Sequence, residues 1–317
     1  MVQQYIGASI TRKEDERFLT GRATFADDVK LPGMLHAAFV RSPHAHARIV
    51  AIDTTAALAI PGVVAIFTYE DIADLAKPIP VRLYPLPSLE PFLQYPLAQD
   101  KVRYVGDPVA IVIADSRYVG EDALDVIDVT YEPLPAVVDI EDSLRDETII
   151  HEAPGTNLAA HYVVSTGDID QAFRDAEYTR KERFKTNRHT GNPLETRGMV
   201  VAYDAGELTV WGATKVPHFN REVLSSLLDF PEEKMHFIEG DVGGGFGIRG
   251  EFYPEDFLVP FAAIRLGRPV KWTEDRLGIP RPIPNSARPL ESWSSIARSS
   301  ANRIGCQSGM IVPHWPR

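Results

Sequence analysis

Cysteine is almost absent from this 317-residue chain, where Cys306 stands alone. One thiol excludes a disulfide framework, a cysteine-ligated iron–sulfur cluster and a cysteine-rich zinc site built from this chain. Long apolar runs are missing too. None approaches the roughly 18 residues that a membrane-spanning helix needs. The segment Met1-Val2-Gln3-Gln4-Tyr5 has no basic stretch leading into an apolar one, so no secretory leader is expected. Positive charge is in short supply, with 33 Lys+Arg against 44 Asp+Glu and a net charge of -11. That balance argues against nucleic-acid binding by bulk electrostatics. The expectation is a cytoplasmic protein with neither nucleic acid nor membrane as partner. The hydrophobic fraction of 44% and charged fraction of 24% are ordinary for a globular protein, and the length allows about two domains.

The most informative stretch is Gly243-Gly244-Gly245-Phe246-Gly247. It follows the strand-like Met235–Ile238 and precedes the helix-like Pro254–Leu266. A strand, then bare backbone, then a helix brings main-chain N–H groups against an anionic ligand, because glycine has no Cβ to hold the ligand off. The phenylalanine inside the run points to a ring or peptide set at a defined spot. Two readings stand side by side here, a cofactor or phosphate cradle and a tight turn.

Elsewhere the apolar runs place strands at Leu35–Arg41, Ile49–Ile52, Val63–Phe67, Val109–Ala114 and Val129–Tyr131, with helical segments at Thr54–Ala59, Asp71–Ala76 and from Ser116 to about Ile127. Pro78–Leu97 is proline-rich and reads as a long surface loop. Residues 1–19 form a lead-in and 20–140 an α/β unit expected to close on itself before Pro133 and Pro135. A second unit covers 150–276. It holds strands at Thr179–Lys185 and Arg197–Tyr203, a hairpin signal at Asp204-Ala205-Gly206 before Leu208–Trp211, and a helix at Val216–Leu228. Residues 277–317 differ from the rest. They carry five arginines against one glutamate, six prolines, seven serines and no Asp, Phe or Tyr. With little apolar residue content to offset ordering entropy, this tail is expected to be disordered and to add little stability.

Four stretches together bring a family into view: Arg17-Phe18-Leu19-Thr20-Gly21 with Phe25-Ala26-Asp27-Asp28, then Phe39 to Ala47, then Gly106-Asp107-Pro108-Val109-Ala110, and last Asp241 to Gly247. In this order and spacing the chain resembles the N-terminal part of the large, molybdopterin-binding subunit of the molybdenum hydroxylases. Xanthine dehydrogenase, aldehyde oxidase and aerobic carbon monoxide dehydrogenase belong to that family. The resemblance covers about residues 5–276. It implies an α/β (α+β) fold, a hammerhead domain followed by the beginning of the molybdopterin-binding domain. It also implies a molybdenum–molybdopterin cofactor, a small-molecule substrate such as an aldehyde or N-heterocycle, water-derived oxygen, and partner subunits carrying iron–sulfur clusters and FAD. On this reading Gly244, Gly245, Phe246 and Gly247 lie against the cofactor, with a peptide N–H beside the metal's oxo ligand. Lys215 stands in Gly212-Ala213-Thr214-Lys215, where many members have a glutamine near the metal.

Other residues carry weaker readings. Gly245-x-Gly247-x-x-Gly250, with Glu274 or Asp275 further on, also fits a dinucleotide fingerprint. Pro254, suited to a first helical turn, places the helix start too late for it. Glu195 reads as a supporting acid rather than a base. Gly250 and Glu251 lie where purine-oxidising members place a substrate-contacting acid, without a secure register. His44 and His46 share one strand face but lack a third ligand, so no metal site is expected there. The family's general base belongs to sequence that follows Arg276 in its members. No catalytic residue is therefore assigned, and the chain is expected to be a truncated or frameshifted large subunit, inactive by itself. A non-catalytic binding or assembly role for the hammerhead domain is the alternative.

Overall fold

The computed structural model describes residues 6–82, 86–164, 167–186, 191–276, 290–298 and 304–313. Its first strands are β1 (Leu35–Arg41), β2 (Ala47–Asp53), β3 (Val63–Phe67), β4 (Lys101–Val102), β5 (Pro108–Ala114) and β6 (Asp128–Pro133). Then follow β7 (Leu158–Val164), β8 (Tyr178–Thr186), β9 (Gly198–Asp204), β10 (Glu207–Gly212), β11 (Met235–Glu239) and β12 (Val270–Thr273). The last two are β13 (Leu290–Arg298) and β14 (Ile304–Pro313). Among the described residues, no helix is long and apolar enough to cross a membrane.

A seven-stranded sheet in the order β11-β10-β9-β12-β1-β5-β3 organises the molecule. Strand β5 is buried along its whole length, which is why its sequence, Pro-Val-Ala-Ile-Val-Ile-Ala, runs apolar instead of alternating. It lies between β1 and β3, antiparallel to both. Beyond β1 the sheet continues into the second half of the chain, because β1 pairs in parallel with β12 through Leu35 opposite Val270. Strand β1 of the unit 20–140 thus shares its main sheet with residues after 150. The physical reason is burial: Leu35 and Val270 are both fully buried and sit in one core with Ile111, Ile113, Val201 and Leu258.

The helix Pro254–Leu266 forms as its sequence indicates. Proline occupies the first turn, the Asp256 carboxylate accepts the Tyr253 N–H at 2.8 Å, and Gly267 closes the end at φ 60°. Nearly every side from Phe257 to Ala263 is buried, so this helix fills the core between β9, β12 and the helix Pro217–Leu228.

Two smaller sheets flank this body, β4-β2-β6 and β7-β14-β13-β8. The second includes two described segments of the tail. Strand β13 pairs with β8 from Leu290 opposite Thr186 to Arg298 opposite Tyr178, and β14 pairs with both β13 and β7. Strand pairing satisfies backbone groups along an open edge, so edges offered by β7 and β8 can recruit a segment whose own sequence has no clear period. Residues 277–289, 299–303 and 314–317 lie outside the described residues.

Two of the sequence motifs meet in space. The Ser42 N–H donates to Asp107 O at 2.9 Å and the Gly106 N–H to Ser42 O at 2.8 Å. Arg41 donates to Gly106 O at 3.1 Å. Asp107 itself is buried and accepts the Arg103 N–H at 3.0 Å. Burial pushes its carboxyl up to about 7, against the pull of that hydrogen bond. The fold therefore prefers the protonated acid, and the unfolded chain releases that proton near pH 3.8. Stability from this group is present below that value and is lost as pH rises toward 7, with a ceiling of about 4 kcal/mol at about 1.4 kcal/mol per unit. Asp107→Asn mimics the protonated form, so it should be neutral at pH 4 and stabilising at pH 8. Urea unfolding at both pH values checks this, and an equal effect at the two would contradict it.

Candidate functional site

Strands β10 and β11 run parallel, with Gly212 opposite Glu239 at their ends. Their following segments therefore leave the sheet at the same edge, the edge where α/β sheets place ligands. One segment carries Ala213 to Lys215 and the other carries Gly240 to Gly250. They are tied directly: the Thr214 N–H donates to the Glu239 carboxylate at 3.0 Å, and the Lys215 N–H donates to Arg249 O at 2.8 Å.

The glycine loop is held at its start by the N-terminal motif. The Asp241 N–H donates to Thr24 O at 2.9 Å, the Asp241 carboxylate accepts the Thr24 N–H at 2.9 Å, and Arg17 pairs with the same carboxylate. A Cβ on Gly240 would stand 2.7 Å from Thr24 O, so this contact needs glycine. Next comes Gly243, whose N–H donates to Glu195 Oε2 at 2.7 Å; a Cβ there would fall 2.4 Å from the Glu195 Cβ. The backbone then turns through positive φ at Gly244 (109°), Phe246 (45°) and Gly247 (93°). Among the described residues, the N–H groups of Gly244, Gly245, Phe246 and Gly247 donate to no protein acceptor. Successive free amides on such a turn form an anion-binding concavity. Gly245 and Gly247 face open space, and the Phe246 ring is 77% exposed. This cradle of free donors, open where a Cβ would intrude, fits an oxo- or phosphate-bearing group.

Behind the loop lies a residue that sequence reading missed. The Arg249 side chain is 2% exposed. Its Nε donates to Gly244 O at 2.8 Å and its Nη1 to Ala213 O at 2.8 Å. Its Nη2 reaches Glu195 O, Glu195 Oε2 and Thr196 O at 2.9, 3.0 and 3.1 Å. One planar guanidinium thus joins the glycine loop, the end of β10 and the 195–196 turn. Its only sequence signal was its place three residues after Phe246. Glu195 is occupied by Arg249 and the Gly243 N–H, which is the supporting role read for it.

Beside Arg249 is a cavity of about 40 Å³, lined in part by Arg197, Thr214, Asn220, Glu239 and Tyr253. At roughly 10–15 Å³ each it has room for about three waters. The buried Asn220 Oδ1 has no protein partner among the described residues, and a water in this cavity would satisfy it.

The remaining residues go elsewhere. His46 Nδ1 lies 2.7 Å from Pro135 O and His44 packs edge-on against Tyr131, so the two do not converge. Among the described residues no group of three metal-ligating side chains occurs. Two features stand against the dinucleotide reading. Glu274 is engaged by Arg197 at 3.1 Å, and a 3-10 turn, Ile248–Gly250, separates the glycines from the helix at Pro254. Lys215 is exposed beside Gly250, connected to the glycine loop through Arg249.

Comparison with known proteins agrees with this geometry. Residues 20–135 match the aldehyde oxidase and xanthine dehydrogenase a/b hammerhead domain, and residues 150–278 match the molybdopterin cofactor-binding domain. The chain is 41% identical over 280 residues to the gamma subunit of the 6-hydroxypseudooxynicotine dehydrogenase complex of Paenarthrobacter nicotinovorans, covering 87% of this chain and 35% of that one. It is 40% identical to the carbon monoxide dehydrogenase large chain of Afipia carboxidovorans, covering 86% and 35%. The chain spans about a third of the length of these curated relatives. Among solved structures, quinoline 2-oxidoreductase of Pseudomonas putida 86 superposes with a TM-score of 0.82 at 35% identity, over 94% of this chain and 38% of that one. With a hammerhead segment and a molybdopterin-binding segment built on one shared sheet, the chain belongs to the molybdenum hydroxylase family.

Proposed function

We propose that this chain supplies one wall of a molybdenum–molybdopterin site in a heteromeric hydroxylase of aldehydes or N-heterocycles, working with iron–sulfur and FAD partner subunits. The observation that carries the reading is the run of four N–H groups from Gly244 to Gly247 without a protein acceptor among the described residues, with open space over Gly245 and Gly247 and a brace from Arg249. Fixed donors of this kind stabilise charge on an oxygen without reorganising. When bound, the molybdenum cofactor supplies the two-electron oxidation through which water-derived oxygen enters a C–H bond. The protein's part is to hold that group at the loop. The names of relatives support the division into subunits, one being a subunit gamma and another a large chain.

A loop is one wall, and tight binding draws convergent contacts from several elements. Glu195, the acid that contacts the loop, is committed to Arg249 and to the Gly243 N–H, which leaves it braced rather than poised to take a substrate proton. The 317-residue chain alone should therefore retain little molybdenum and should not turn over. The test is purification from a host that makes the cofactor, elemental analysis for molybdenum, and assay of aldehydes and N-heterocycles with an artificial electron acceptor. Near-stoichiometric metal with measurable hydroxylation would overturn the one-wall reading. A full-length parent without molybdenum would overturn the cofactor reading itself.

A further inference from the structure

Arg82 and Lys215 flank Gly250 at the outer rim of the glycine loop. A Cβ on Gly250 would lie 3.5 Å from Arg82 Nη2 and 3.6 Å from Lys215 Cδ. With no side chain there, the two cationic side chains pack over a strip of buried backbone. Arg82 comes from the proline-rich segment read as a surface loop. Its Nε donates to Gly250 O, which fixes the guanidinium against the strip. Its Nη1 and Nη2 make no hydrogen bond to the described residues, and neither Arg82 nor Lys215 is paired with a carboxylate among them. In a chain with 44 acids against 33 basic side chains, these two place positive charge side by side at the end of the glycine loop. The other cations around the site, Arg41, Arg197 and Arg249, are all neutralised by Glu255, Glu274 or Glu195. The Gly250 N–H donates to Gly247 O at 3.1 Å, so the strip is continuous with the loop that carries the free amides.

We propose that Arg82 and Lys215 form a carboxylate clamp across Gly250, and that the substrate is an aromatic or heteroaromatic acid held by its anionic group. This substrate assignment rests on the proposed hydroxylase site. With Nε already engaged, Arg82 presents the paired Nη1 and Nη2 edge, which matches the two oxygens of a planar carboxylate. Lys215 adds a mobile point charge from the other side. A tetrahedral phosphate shares the charge but not the planar match.

The clamp is tested on the purified 317-residue chain without cofactor, by calorimetric titration with benzoate, benzamide and inorganic phosphate at low salt. Benzoate should bind, weaken as salt is raised, and lose about tenfold in affinity with Lys215→Gln and again with Arg82→Gln. Lys215 is exposed and unpaired, so Lys215→Gln keeps the fold and stands as the decisive variant should Arg82→Gln disturb its loop. Benzamide should show at least tenfold weaker binding than benzoate. Equal binding of benzoate and benzamide, or benzoate binding unchanged in Lys215→Gln, would overturn the clamp. Phosphate binding more tightly than benzoate and displacing it would also overturn it, and would assign the pair to a phosphate instead. The outcome is separable from the cofactor reading. Molybdenum bound without benzoate discrimination defeats the clamp alone, and benzoate binding by a parent that holds no molybdenum defeats the cofactor alone.

Discussion

Glu255→Gln should lower the unfolding free energy by about 3–5 kcal/mol, the cost of breaking a buried ion pair by removing one charge. The melting temperature should fall by roughly 10 °C. Glu255 is 1% exposed and lies between two guanidiniums. Arg197 Nη1 is 3.1 Å from its Oε2, and Arg41 pairs with its Oε1. Arg197 also stacks on Tyr253, at 4.1 Å from the ring centre. Burial works to raise the carboxyl, but the two arginines win and hold it down at about 2. A depressed acid stabilises the fold above its unfolded pKa, near 4.5, and that stability is lost as pH falls toward 2. The gap between wild type and variant should thus be full at pH 7 and vanish near pH 2, as read by chemical unfolding at each pH. A variant as stable as wild type at pH 7 would show that the cluster contributes nothing net. The cluster also spans the two family segments, since Arg41 lies in β1 while Glu255 and Arg197 follow residue 150. Its loss should loosen both together in one transition.

Arg249→Met should release the glycine loop. Five contacts to carbonyls and to Glu195 disappear, and the methionine leaves their oxygens unsatisfied. Buried hydrogen bonds to a charged group contribute about 1.5–3 kcal/mol each and do not simply add, so a loss of about 3–5 kcal/mol is expected. Hydrogen exchange should show the change in its place, with faster exchange at Gly243 and through 213–216 and little at β5. Arg249→Lys should behave much like the methionine, because one ammonium cannot span acceptors on three segments. Full rescue by lysine, or unchanged exchange in Arg249→Met, would show that the loop holds its shape without the guanidinium.

Much of this was readable before any coordinates. The continuous apolar run of β5 can only be an interior strand, and Pro254 with Gly267 brackets a helix, because these signals are local and act through backbone geometry. The glycine run likewise announced bare backbone by composition alone. Its agreement with three other motifs pointed to the fold class, since each motif serves a contact to another. What tertiary structure alone decided lies in contacts between distant residues. The pairing of Leu35 with Val270 joins the two halves into one sheet, and no local signal marks which open edge a strand will find. The tail strands pair with β7 and β8 for the same reason, through backbone groups that any sequence supplies. Arg249 looked like an ordinary charged residue after a glycine run. Only the convergence of Glu195, Ala213 and Gly244 around it, contributed by segments up to 54 positions away, makes it the brace of the site.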